Sequence, residues 1–300
     1  MCPRLLIAGL ACSLTACQYD DAAVPDAAIP VLPSEAALLA ARPYVVELPA
    51  DVDAGAGLPL LIALHGYGDV VAQFAAQLGL ADLAKRRELV IAVPAGLADS
   101  HGYASWHPGP LHYPSWDVEY LSAIIHDLEG KHSIDPSRVY VFGFSQGAHM
   151  AHRMGCDASA EVVALASLAG QAYTAPAECA PGALVSAVEI HGTDDEVIGY
   201  YGDAQHDPPD PNVPSAHQTI AVWARNDHCT GALTSSGATL DLSSLAPGAE
   251  TSVDAYLGCP AGIGVELWTM DGVSHWPSPQ PDFMDNVLDF LLAHPRPAGP

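Results

Sequence analysis

Gly143-Phe144-Ser145-Gln146-Gly147 has the form G-x-S-x-G. It follows an apolar run, residues 138–142, and the residues after it have helical spacing. A strand-to-helix turn this tight needs glycine on both sides of the serine, and it lifts the hydroxyl out above the sheet. A serine hydroxyl becomes a nucleophile only when a base takes its proton. Downstream, partners occur in the order serine, acid, histidine. His191-Gly192-Thr193-Asp194-Asp195 follows the apolar run 184–190, which puts two acid candidates at the C-terminal end of a strand. His275 lies between the strand-like run 264–270 and a final helix. In such a constellation His275 takes the proton from Ser145 and later gives it to the leaving group, while the acid fixes the tautomer of the ring. The chemistry is acyl transfer through an acyl-enzyme.

Acyl transfer also needs donors for the developing oxyanion. The Gln146 N–H, directly after the serine, is the expected first donor, and the Tyr67 N–H in His65-Gly66-Tyr67-Gly68-Asp69 the second. Most of the 14 histidines are expected to be structural: His132, His149 and His152 fall in helices, His191 orders the loop carrying the acid, and His65 shapes its own loop. Residues 101–116 hold Tyr103, Trp106, His107, His112, Tyr113 and Trp116. Aromatic rings there suit stacking on a phenolic ring or a polyester chain, and the packing of a long loop explains them equally well. Trp106, and Trp276 beside His275, are the candidate substrate contacts. His206, Asp207, Asp210 and Asn212 read as a solvated, Pro-rich loop rather than a cation site. No metal-ligand or cofactor motif stands out, so no cofactor is expected.

Around these residues the chain alternates strands and helices. Strands are expected at residues 44–48, 59–64, 89–93, 138–142, 162–168, 184–190 and 264–270, and helices at 71–87, 117–131, 146–154, 215–226 and 282–293. Continuous apolar runs suit strands buried on both faces. The alternation predicts an α/β protein with a mostly parallel central sheet and helices on both faces.

The 300-residue chain carries 35 Asp and Glu against 10 Lys and Arg, a net charge of −25. Such a surface repels phosphate backbones, so nucleic acid is excluded as a partner, and a monomer is expected. Residues 1–16 have one early positive charge and a short apolar stretch, too short to span a bilayer. They end in Leu14-Thr15-Ala16-Cys17, which resembles a bacterial lipobox with Cys17 as the lipidated residue. An ordinary signal peptide is the alternative. Residues 17–41, rich in Asp, Pro and Ala, read as a flexible tether, with one or two helical turns near its end, and residues 42–300 as the catalytic domain. An exported chain, lipid-anchored at the bacterial cell envelope or extracellular, follows, its membrane contact made only through the anchor. Beyond the leader, Cys156, Cys179, Cys229 and Cys259 form an even set in an exported chain, with three possible pairings.

The body resembles the secreted α/β-hydrolases grouped as polyhydroxybutyrate depolymerase and feruloyl or acetylxylan esterase-like proteins. The likeness rests on Leu64-His65-Gly66-Tyr67-Gly68, Asp117-Val118-Glu119-Tyr120, Ile134-Asp135-Pro136-Ser137-Arg138-Val139, the serine pentapeptide, His191-Gly192-Thr193-Asp194-Asp195 and Ser274-His275-Trp276-Pro277. It implies an α/β-hydrolase fold and a triad of Ser145, Asp195 and His275. Asp195 is favoured over Asp194 because the family acid is the fifth residue from the motif histidine. The resemblance further implies a Cys229–Cys259 bridge, with Cys156–Cys179 as the second. The expected substrates are short-chain, aromatic or polymeric esters, such as polyhydroxyalkanoate or feruloyl and acetyl polysaccharide esters. A serine peptidase of the same fold and a non-catalytic surface-binding lipoprotein are the alternatives. Two departures sit beside the acyl site: Gln146-Gly147-Ala148 replaces a small residue and two glycines, and Val273-Ser274 precedes the histidine with Trp276 directly after it.

Overall fold

Apolar runs that hide both faces become the interior of a sheet. The computed structural model describes residues 33–52, 57–109, 116–172, 179–203 and 213–296. In chain order its elements are α1 (Glu35–Ala41), β1 (Val45–Glu47), β2 (Leu58–Leu64), α2 (Val71–Gln77), α3 (Leu80–Arg86), β3 (Val90–Val93), β4 (Leu97–Ala98), β5 (Ala104–Ser105), α4 (Trp116–Lys131), β6 (Ile134–Phe144), α5 (Gln146–Asp157), β7 (Ala164–Leu168), β8 (Ser186–Gly192), α6 (Ala216–Asn226), β9 (Leu233–Leu240), β10 (Thr251–Tyr256), β11 (Val265–Met270) and α7 (Phe283–Ala293).

Among the described residues, nine strands form one sheet in the order β1-β3-β2-β6-β7-β8-β11-β10-β9. The six from β3 to β11 are parallel; β1 closes one edge and the β10–β9 pair the other, all antiparallel. Strand alternation divides the core. Leu60, Ile62 and Leu64 pack with Tyr120 of α4, Met150 and Met154 of α5 and Trp223 of α6. Leu61 and Ala63 face the other way, against Phe74 of α2, Leu83 of α3 and Leu288 of α7. Each leucine, isoleucine, methionine or phenylalanine side chain among them contributes roughly 1.5–3 kcal/mol by leaving water.

Three expectations change. The single helix expected over 71–87 is two, broken where Gly79 turns to φ +61 and N-caps α3. The β9–β10 pair was not expected, because β9 is exposed along nearly its whole length and shows no burial alternation. The end of the segment expected as a tether is packed: α1, capped by Ser34, buries Leu38 in the core. Residues 34–41 therefore belong to the packed body. The expected leader, Cys17 and the rest of the expected tether, residues 1–32, lie outside the described residues.

Cys156, at the end of α5, is bonded to Cys179, and Cys229, after α6, to Cys259, after β10. Sequence separations of 23 and 30 residues correspond to roughly 3–4 kcal/mol each by loop-closure entropy. Among the described residues no helix is long and apolar enough to cross a membrane.

Candidate active site

In an open parallel sheet, ligands bind beyond the carboxyl ends of the strands. Here β2, β6, β8 and β11 deliver the 65–69 loop, Ser145, Asp195 and His275 to that one edge. Ser145 sits between β6 and α5 with φ 54° and ψ −119°, a backbone conformation that side chains rarely adopt. The flanking glycines permit it. A Cβ on Gly143 would lie 2.6 Å from the Ala148 nitrogen, and one on Gly147 would lie 2.6 Å from the His65 carbonyl oxygen. The start of α5 thus lies against the end of β2.

Ser145 Oγ lies 2.9 Å from His275 Nε2, and His275 Nδ1 lies 2.7 Å from Asp195 Oδ2. The serine hydroxyl can donate to Nε2 only if that nitrogen is bare, which leaves Nδ1–H to donate to the carboxylate. Asp195 Oδ1 accepts the backbone N–H groups of Val197 and Ile198, both at 2.8 Å. Burial would raise the Asp195 pKa, but the hydrogen bonds from His191 and His275 outweigh it and hold the carboxyl well below its usual range. Asp194 is exposed, so of the two adjacent acids the structure brings Asp195 to the histidine.

The acid and histidine loops are stitched together because β8 and β11 are parallel neighbours. Asp194 N–H donates to the Val273 carbonyl at 3.1 Å and Thr193 N–H to that of Met270 at 3.0 Å, while Gly272 N–H donates to Thr193 Oγ1 at 2.8 Å. Buried Val273 anchors the turn before His275. The Phe144 ring packs on His275 at 5.0 Å and on Trp276 at 4.8 Å.

The 65–69 loop is braced at several points. His65 Nε2 accepts from Gly96 N–H at 3.0 Å, so Nδ1–H donates to the Gly66 carbonyl at 2.6 Å. Burial lowers the His65 pKa, which suits a ring that must stay an acceptor. The Gln146 side chain accepts from Trp106 N–H at 2.9 Å and donates to Ser105 Oγ at 3.1 Å. Its amide ties the elbow to β5, which explains a long polar residue where the family has a small one.

Trp106 is not a substrate contact. It is fully buried, and its indole N–H donates to the His65 carbonyl at 2.9 Å. Its ring braces the 65–69 loop from within the core. Trp276 remains partly exposed beside Phe144. The exposed aromatic pair is Tyr67 and Tyr103, with rings 5.6 Å apart. Tyr67 Oη donates to Asp99 Oδ2 at 2.6 Å, and Asp99 Oδ1 accepts the N–H groups of His101 and Tyr103. His112, Tyr113 and the 206–212 cluster lie outside the described residues.

Sequence reasoning passed over Glu189. It lies in β8, fully buried, 2.9 Å from His191 Nδ1 through Oε1 and 3.4 Å from His152 Nε2 through Oε2. A signal was present: an acid two residues before the motif histidine, inside an apolar strand, shares its face of the sheet.

This arrangement of sheet, elbow and strand-end loops is the α/β-hydrolase fold. The acetyl xylan esterase of Aspergillus awamori shares it, with a TM-score of 0.59 at 14% identity, covering 83% of this chain and 93% of that one. The chain belongs to the Esterase family, whose model matches residues 36–243, a span that includes Ser145 and Asp195 and stops before His275. Similar curated proteins include feruloyl esterase B of Piromyces equi, 25% identical over 239 residues, covering 78% of this chain and 42% of that protein. Poly(3-hydroxyalkanoate) depolymerase C of Paucimonas lemoignei is 29% identical over 121 residues, covering 39% of this chain and 29% of that protein. The chain thus spans less than half the length of these two relatives.

Proposed function

We propose that this chain is a serine carboxylic ester hydrolase. The observation that carries the reading is the continuous hydrogen-bonded line from Ser145 Oγ through His275 to Asp195, with separations of 2.9 and 2.7 Å. In this mechanism Ser145 attacks the ester carbonyl while His275 Nε2 takes its proton. Asp195 holds the imidazolium, and the Gln146 and Tyr67 N–H groups receive the oxyanion. His275 then protonates the leaving alcohol, and water repeats the sequence on the acyl-enzyme.

Short-chain, aromatic or polymeric esters are the proposed substrates. The Tyr67–Tyr103 pair beside the oxyanion loop and the partly exposed Trp276 offer ring surfaces for an aromatic acyl group or a polymer chain. The names of the feruloyl esterase and depolymerase relatives point the same way. Export is supported by the two disulfides and by the leader with Cys17 at its end.

A fluorophosphonate probe tests the chemistry, together with a panel of p-nitrophenyl esters, methyl ferulate, acetylated xylan and amorphous polyhydroxybutyrate. The expected result is labelling of Ser145 and ester turnover that vanishes in Ser145→Ala. A folded wild-type protein that neither labels nor turns over any of these esters removes the reading.

A further inference from the structure

Behind Asp195 lies a second carboxylate–imidazole pair. Glu189 and His191 are two residues apart on β8 and both fully buried. His191 Nδ1 is 2.9 Å from Glu189 Oε1. Its Nε2 is 2.8 Å from the Ile198 carbonyl oxygen and 3.2 Å from Asp195 Oδ2. All three of these neighbours are acceptors. Glu189 is itself engaged: Trp223 Nε1–H, which can only donate, meets His152 Nδ1 at 2.9 Å, so His152 Nε2–H is left to donate to Glu189 Oε2. Asp195 accepts two backbone N–H groups and the His275 proton. With both carboxyls ionised, each His191 nitrogen needs a proton. Tyr200 packs edge-on against the ring at 5.7 Å, its hydroxyl turned to Thr269 and His217.

We propose that Glu189 and His191 are positioning residues for the acid: a buried carboxylate–imidazolium pair that fixes the Asp195 rotamer and the 195–198 turn. The inference rests on the reading of Asp195 as the acid of an ester hydrolase. The charge balance gives Glu189 its role. Glu189, His191 and Asp195 together present one net negative charge to His275, as a lone aspartate would. Without the Glu189 carboxylate the His191 Nδ1–H loses its acceptor: either His191 keeps its proton and cancels Asp195, or it becomes neutral and its buried Nδ1 faces no partner, so nothing fixes the ring behind Asp195. Both outcomes weaken the hold on His275. Burial opposes the His191 charge, but the bonds to Asp195 and Glu189 overcome it and lift its pKa to about 10.

Glu189→Leu keeps the bulk of the side chain and removes both carboxylate oxygens, whereas a Gln amide could donate to a neutral His191 Nδ1 and hide the effect. The expected result is a kcat roughly 10- to 100-fold lower, as for a small misplacement of a catalytic group. KM stays within about twofold, because the pair touches no substrate. Phosphonylation of Ser145 slows in parallel, in protein whose Tm and circular dichroism show it folded. A folded Glu189→Leu protein with wild-type kcat overturns the inference, and leaves the proposed function standing if Ser145→Ala is inactive. Should Glu189→Leu not fold, 15N NMR of the histidine rings of the wild-type protein decides. At pH 8.5, where an ordinary imidazole is neutral, one ring with both nitrogens protonated is expected, and its absence overturns the inference.

Discussion

His275 Nδ1 lies 2.7 Å from Asp195 Oδ2, and the other oxygen of that carboxylate is held by the N–H groups of Val197 and Ile198. The acid is thus oriented by its own loop, independently of the histidine. Asp194, one residue away, is exposed and contributes its backbone N–H to the Val273 carbonyl.

Exchange of the two acids should therefore have unequal effects. Asp195→Asn keeps the shape but offers an amide where the ring needs an acceptor, so kcat is expected to fall about 10⁴-fold. Asp194→Asn should leave kcat within about twofold, since surface changes of this kind perturb little. Steady-state kinetics on one p-nitrophenyl ester measures both, and equal losses would remove the assignment of Asp195.

Ser145 holds a strained backbone that glycine adopts freely. Ser145→Gly should abolish turnover and stabilise the fold by roughly 1 kcal/mol, from about 2 kcal/mol of relieved backbone strain less about 1 kcal/mol for the lost hydrogen bond. Denaturant unfolding gives the answer; a less stable glycine variant would show that the elbow is unstrained.

The two tryptophans separate packing from contact. Trp106→Ala leaves a cavity under the 65–69 loop and frees the His65 carbonyl, so a stability loss of about 3–5 kcal/mol is expected. Trp276→Ala is expected to cost under about 1 kcal/mol and to alter kcat/KM most for bulky acyl groups. Thermal unfolding beside an acyl-length series distinguishes these outcomes.

Asp227, buried at the end of α6, accepts only the Val185 N–H through Oδ1, and burial pushes its pKa up to about 7. The folded chain therefore binds this proton more tightly than the unfolded chain, whose aspartates titrate near about 4. Its contribution to stability is full below that value and is lost as pH rises through about 7. Asp227→Asn cannot lose a proton. Its stability relative to wild type should rise between pH 5 and 8, by at most about 1.4 kcal/mol per pH unit. Unfolding curves at both pH values check this; a constant difference would mean that Asp227 is ionised throughout.

Much of the site was legible before the fold. The spacing around Ser145 dictates the elbow because only glycine fits where β6, α5 and β2 crowd together. His275 followed from its place between a strand and the last helix, and the even set of four cysteines pointed to two bridges. What sequence could not reach was set by contacts between distant segments. Trp106 looked like a binding residue because type and loop position do not report burial. The exposed β9 strand carries no alternation, so its pairing with β10 exists only through backbone hydrogen bonds. Glu189 is one acid in an otherwise apolar run, and no motif marks it. Its partners are His191 on the same strand and His152 of α5, which bond on to the 195–198 turn and to Trp223 of α6, and only the packing of those elements on β8 makes a buried charge tolerable there. Local spacing determined which groups are available for acyl transfer, because turns and strand ends follow from neighbouring residues. The tertiary structure decided which acid meets His275 and what stands behind it, because hydrogen bonding and burial depend on segments brought together by the sheet.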